Sequence, residues 1–196
     1  MATTRKPRDL ITDDIILGHF TLSRHHDIVQ RVNAAAAGGC SGIGLYIREF
    51  QRLEAEGTSP ATLTDLLEQR DLCLAEIEAL RGWGDPGAAT TEDYLDQETT
   101  AFRMADEFEC RSVAAIGPYA GTITEAGQAF GALCDRAAEH GLLVALEFLP
   151  FTNIATAADA LRIVEQADRE NGGVCVDLWH HQRGAGDLAL IEAIPG

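Results

Sequence analysis

A chain of 196 residues, 46% apolar and 23% charged, has the makeup of one globular domain, able to bury about 70% of its unfolded surface without a disulfide or metal staple. Its 31 acidic side chains against 15 basic ones leave a net charge of −16. That field repels phosphate backbones and anionic lipids, so neither nucleic acid nor a membrane is an expected partner.

The five cysteines, Cys40, Cys73, Cys110, Cys134 and Cys175, are odd in number and widely spaced, with no CxxC pair. This fits reduced, mostly core-buried thiols in a cytoplasmic protein better than a disulfide framework or zinc knuckle. The basic start, Met1 to Arg8, is followed by no apolar run suited to a signal peptide or membrane span.

In chain order, short β-rich runs alternate with longer helical stretches. A first run, Asp14 to Phe20, precedes a helix over about Arg24 to Gly38, where Ile28, Val32 and Ala35 recur at helical spacing. Gly38-Gly39 supplies its stop. A second run, Ser41 to Tyr46, leads into helices over Arg48–Ala55 and Pro60–Arg70, the latter opened by Ser59 as N-cap and Pro60 at the first helical position. A third run, Leu72 to Leu80, meets a loop rich in glycine and proline, and Thr91 opens a helix to about Glu109. The fourth run is Ser112 to Ile116, with a helix over Thr124–His140. The fifth is Leu142 to Phe148, with a helix over Thr156–Glu170. The sixth is Gly173 to Leu178, trailed by a short helix at Asp187–Ala193.

Six β-then-α units with nearly continuous apolar strands predict an α/β fold with a parallel sheet and helices packed outside it. A doubly wound open sheet fits the same alternation. Ionisable residues favour a barrel, because His19, Glu78, Glu147 and Asp177 stand at the C-terminal ends of four different strands, where barrel enzymes build their sites. No GxGxxG follows the first strand and no GxxxxGKS/T occurs, which removes the common nucleotide-binding readings.

Glu147 interrupts an otherwise apolar strand. Alternation places it on one face with Leu143 and Ala145, and a carboxylate there is costly unless it is paired, protonated or bound to a cation. Asp177 repeats the pattern one βα unit later, with His180 three residues on, where a loop folding back over the strand ends would carry it. Two carboxylates and an imidazole suit Zn²⁺, Mn²⁺ or Co²⁺ better than Ca²⁺. His25-His26 reads as a solvated helix start, His140 as a structural helix end and His181 as an alternative ligand to His180. Trp83 and Trp179 are candidates for stacking on a sugar ring, and Trp83, in a glycine-rich loop, fits a packing role equally. Glu76 shares a face with Glu78 and is expected either at the mouth or in a salt bridge.

The stretches Ala34–Leu45, Leu146-Glu-Phe-Leu-Pro-Phe151 and Val176-Asp-Leu-Trp-His-His-Gln-Arg183 resemble the xylose-isomerase-like TIM barrel superfamily, the sugar phosphate isomerases and epimerases that also include endonuclease IV. The similarity runs from about residue 14 onward, and its last two motifs are the most specific. The resemblance implies a single, incomplete (β/α) barrel domain over residues 1–196, with about six βα units present and the last two strands missing. It further implies a divalent metal ion (Mn, Zn, Co or Mg) held by Glu147, Asp177 and His180, with Glu147 also moving the proton. His180 would bind the substrate or the metal and Arg183 a substrate hydroxyl or phosphate, while His19 and Glu78 match more loosely as further contacts to a small-molecule sugar substrate.

Family members continue through a seventh and eighth strand that supply a further His and Glu to the metal. Without them the expectation is half a ligand sphere, open edges at the first and sixth strands, a possible homo-oligomer, and little or no turnover by the 196 residues alone. The expected activity is a metal-dependent sugar, sugar phosphate or polyol isomerase or epimerase, with the cation stabilising an enediolate. The alternatives are a non-catalytic barrel remnant with a binding or assembly role and an endonuclease IV-like phosphodiesterase. The charge of −16 argues against the last.

Overall fold

The computed structural model describes residues 5–195; the Met1–Thr4 part of the basic start and Gly196 lie outside the described residues. Strands β1 (Ile16–Leu17), β2 (Gly42–Tyr46), β3 (Cys73–Leu80), β4 (Ser112–Ile116), β5 (Leu143–Glu147) and β6 (Gly172–Cys175) form one parallel sheet in the order β1-β2-β3-β4-β5-β6. Helices alternate with them: α1 (Ile28–Ala37), α2 (Ile47–Ala55), α3 (Pro60–Glu68), α4 (Glu92–Phe108), α5 (Ile123–Ala138), α6 (Ala157–Ala167), α7 (Leu178–Gly184) and α8 (Ala189–Glu192). A doubly wound sheet reverses its strand order at a switch point. No reversal occurs here, and sequential order is that of the (β/α) barrel.

The chain forms two compact units, Met1–Glu78 with Thr100–Ser112, and Ala79–Thr99 with Val113–Gly196. In the first, Val32, Ile43, Leu45, Phe50, Leu63 and Met104 are buried, and Phe50 meets Phe108 edge-on at 5.6 Å. Arg103 grips Glu54 through two bonds of 2.6 Å while its guanidinium lies 5.2 Å over the Phe50 ring. In the second, α5 packs on α6, and the buried Trp83 donates its indole N–H to the Ile116 carbonyl at 3.0 Å. Trp83 is therefore a packing residue rather than a sugar platform. Nearby, the buried Glu98 carboxylate accepts from Arg136 and from the Tyr94 hydroxyl, both at 2.6 Å. No helix among the described residues is long and apolar enough to cross a membrane.

Local chemistry explains where the elements differ from the sequence expectation. The first run yields only two strand residues before His19–Thr21 turns into a 3₁₀ helix. Helix α1 begins at Ile28 rather than Arg24, because Asp27 caps it: its carboxylate accepts from Gln30 N at 2.8 Å and the Gln30 side chain bonds back to Asp27 N. Helix α6 stops at Ala167, where Asp168 adopts φ 51°, short of the expected Asn171-Gly172. The largest departure is after β6. The strand ends at Cys175, and the stretch expected as a loop is the helix α7, capped by Asp177.

Candidate metal centre and active site

Strand β5 shows the alternation that defines the site. Val144 and Leu146 are buried, whereas Leu143, Ala145 and Glu147 on the other face are at least partly open. Glu147 is the last strand residue and its Cα is in register with Cys175 at the end of β6. Parallel partners in register present side chains to the same side, and so does the residue two further on, which is Asp177. The Asp177 carboxylate accepts from the His180 backbone N–H at 2.6 Å, fixing the first turn of α7. That turn carries the His180 ring back over the strand ends, with Nε2 3.4 Å from Glu147 Oε1.

Each of Glu147, Asp177 and His180 thereby offers a ligand atom within 4.8 Å of the others. The His180 and Glu147 side chains are only 15% and 21% exposed. Two carboxylates this close, in a half-buried setting, repel unless a positive charge lies between them. The donor set, two oxygens and one imidazole nitrogen, fits Zn²⁺, Mn²⁺ or Co²⁺. The buried His180 Nδ1 has no hydrogen-bond partner among the described residues, so no neighbouring acceptor fixes the tautomer of the ring.

The other expected site residues fall in separate places. His181 is buried, edge-on to Phe148 at 6.4 Å, so it faces the core and is not part of the cluster. Arg183 is exposed, its guanidinium 5.2 Å over the Trp179 ring. Within the first unit, His19 and Glu78 meet: the buried Glu78 carboxylate accepts from the His19 backbone N–H at 2.6 Å. Burial and the nearby Arg31 guanidinium hold the His19 imidazole down at about 4, so the ring is neutral at pH 7. Glu76, which shares a face with Glu78, has no salt-bridge partner among the described residues; burial raises its pKa instead.

Glu78 reaches its position because of two features of its surroundings. A one-residue bulge in β3 shifts the β2 register between Ile43 and Gly44. A Cβ on Gly44 would stand 1.8 Å from Glu78 Oε1, so only glycine leaves room for the carboxylate.

Sequence reasoning missed Phe151 and Cys175. Phe151, 77% exposed, rests at 6.2 Å from the His180 ring. It sits in a turn closed by Leu149 N to Ile154 O at 2.7 Å, which neither helix nor strand periodicity reveals. Cys175 was detectable from its parity with Asp177.

Comparison with known proteins bears on the fold and the family. Residues 32–196 match the family model described as xylose isomerase-like TIM barrel. No curated protein matches the chain in sequence. Among solved structures, it is similar to the probable 3-DHS dehydratase AsbF of Bacillus anthracis (19% identity, 92% of this chain, 69% of that one, TM-score 0.77). It is also similar to the IolI protein with a bound zinc atom (15%, 91%, 67%, 0.80) and to D-psicose 3-epimerase with D-tagatose from Clostridium cellulolyticum (15%, 88%, 65%, 0.67). At these identities the likeness shows the fold, and the chain spans about two thirds of each of these structures. The family match covers most of the chain, and the protein belongs to the xylose isomerase-like TIM barrel family.

Proposed function

We propose that this protein is a metal-dependent sugar, sugar phosphate or polyol isomerase or epimerase, built to shift a proton between adjacent carbons through an enediolate. The observation that carries this reading is the convergence of Glu147, Asp177 and His180 at the C-terminal ends of β5 and β6. Glu147, Asp177 and His180 would hold a divalent cation, which would supply Lewis-acid polarisation of the substrate's carbonyl and neighbouring hydroxyl oxygens.

The residues themselves supply the rest. Glu147 ends its strand with a carboxylate whose position is restrained by the His180 imidazole, which suits it to take up and return a proton. Asp177 holds the first turn of α7 in place, so the imidazole stays over the strand ends. The IolI structure with zinc and the epimerase structure with D-tagatose support the reading by showing what this fold accommodates in other proteins.

The test is proximity of a ketose to the cation. Mn²⁺ added to the protein is expected to enhance relaxation of D-fructose protons, measured by NMR, and Glu147→Gln is expected to abolish the enhancement. Equal relaxation with and without the protein, or an enhancement indifferent to Glu147→Gln, contradicts the proposal.

A further inference from the structure

His180 holds its ring without the usual support. A histidine that binds a metal through Nε2 is ordinarily kept in place by a hydrogen bond from Nδ1 to a nearby acceptor. Here Nδ1 is buried and meets no hydrogen-bonding group among the described residues. Two aromatic rings stand edge-on to the imidazole instead, Trp179 at 5.1 Å and Phe151 at 6.2 Å. Trp179 precedes His180 in α7 and moves with it. Phe151 comes from the loop between β5 and α6, so it can fix the ring relative to the strand that ends in Glu147.

Phe151 is 77% exposed, and a ring so open to water is not kept in place by burial. Its turn is kept by hydrogen bonds and close backbone approach. Leu149 N donates to Ile154 O at 2.7 Å, and Thr152 Oγ1 to Leu149 O at 2.9 Å. The Asn153 amide clasps the backbone of Tyr119, accepting from its N–H at 3.2 Å and donating to its carbonyl at 2.8 Å, as a partner strand would. Ile154 is buried, and a Cβ on Gly117 would stand 3.0 Å from its Cδ1. A Cβ on Gly184, the last residue of α7, would stand 2.8 Å from the Ala155 carbonyl. The turn is thereby fastened to the β4–α5 loop and packed against the end of α7.

We propose that Phe151 is a positioning residue, which holds the His180 imidazole in the rotamer that turns Nε2 toward Glu147, and that Asn153 keeps Phe151 there through Tyr119. This rests on the reading of Glu147, Asp177 and His180 as a metal centre. An edge-on pair sets the positive rim of one ring against the negative face of the other, so it is directional and favours one ring orientation. An imidazole restrained before the ion arrives has less freedom to lose on binding it.

The mobility of the His180 ring in metal-free protein tests this. It is read by relaxation of ¹³C-labelled histidine, with the His180 signal identified by its loss in His180→Gln. The native ring should be ordered, unlike that of the exposed His25. Phe151→Leu should free it, and Phe151→Tyr should keep it ordered. Asn153→Ala, which leaves both rings in the chain, should loosen it in the same direction. Replacing an exposed side chain should leave the fold intact. Asp27→Ala, which removes the α1 cap, controls for lost stability alone and should leave the ring ordered. Phe151→Leu should also weaken Mn²⁺ binding about threefold to tenfold. A ring as ordered in Phe151→Leu as in the native protein, a ring that Asn153→Ala does not loosen, or a Mn²⁺ affinity indifferent to Phe151→Leu overturns the proposal. If the native protein binds no Mn²⁺, the metal centre fails, while ring mobility in the metal-free protein still decides whether Phe151 positions His180.

Discussion

His180 Nε2 stands 3.4 Å from Glu147 Oε1, which ties the first turn of α7 to the last residue of β5. The tie depends on Asp177, whose carboxylate both caps α7 and faces the other two ligand atoms. These two jobs separate by mutation. Asparagine caps a helix as well as aspartate, so Asp177→Asn should leave thermal stability nearly unchanged yet weaken Mn²⁺ binding about tenfold or more. Asp177→Ala loses the cap too and should cost about 1 kcal/mol in addition. Calorimetric titration and thermal melts of both variants provide the comparison.

Gly44 should tolerate no side chain. The 1.8 Å approach of Glu78 Oε1 to the Cβ position means that Gly44→Ala displaces a buried carboxylate that accepts from His19 N. A loss of about 1–3 kcal/mol is expected, as for other overpacked cores. Gly173→Ala is the control. A Cβ there meets nothing within 4 Å, and it should be neutral or slightly stabilising. The urea midpoint should fall for Gly44→Ala and stay level or rise slightly for Gly173→Ala.

Acid should destabilise the fold through His19. Its folded pKa of about 4 lies below the ordinary 6.5, so the unfolded chain binds more protons between these values. The contribution is complete above pH 6.5 and is lost as pH falls toward 4, by roughly 2–3 kcal/mol at the acid end. His19→Gln should flatten the pH dependence of the urea midpoint across this window.

Thiol labelling should divide the cysteines. Burial raises Cys73 to about 11 and Cys110 and Cys134 to about 12, which leaves almost no thiolate at neutral pH. Cys40 and Cys175 are only half-buried and should carry the label. Since Cys175 is the register partner of Glu147, Mn²⁺ should slow its labelling and leave Cys40 unaffected. Peptide mass spectrometry after brief iodoacetamide treatment reads both.

Much of this was legible in the sequence, and the reasons are specific. Burial of β2 to β4 wrote itself as apolar runs, and Ser59-Pro60 marked a helix start through capping chemistry that acts over three residues, whereas the Asp27 cap of α1 went unread. Glu147 was visible because it ends an apolar strand, and Asp177 because it follows the apolar Val174-Cys-Val176 run, although β6 itself stops at Cys175. What was hidden depends on long-range contact. Helix α7 looked like a loop because its seven residues hold two histidines and a glycine, and only the Asp177 cap makes it helical. The Glu78–Gly44 fit joins two strands through a bulge that no periodicity announces. Phe151 gains its place beside His180 from a turn fastened to Tyr119, distant in sequence.

Glu147, Asp177 and His180 are proposed to hold one divalent cation between them. Isothermal titration with Mn²⁺, Co²⁺ and Zn²⁺ tests it directly, on the native protein and on Glu147→Gln with its fold verified by circular dichroism. One site per chain is expected for at least one of these ions, weakened about tenfold or more by Glu147→Gln. Absence of stoichiometric binding for all three, or a site that Glu147→Gln leaves intact, would contradict it.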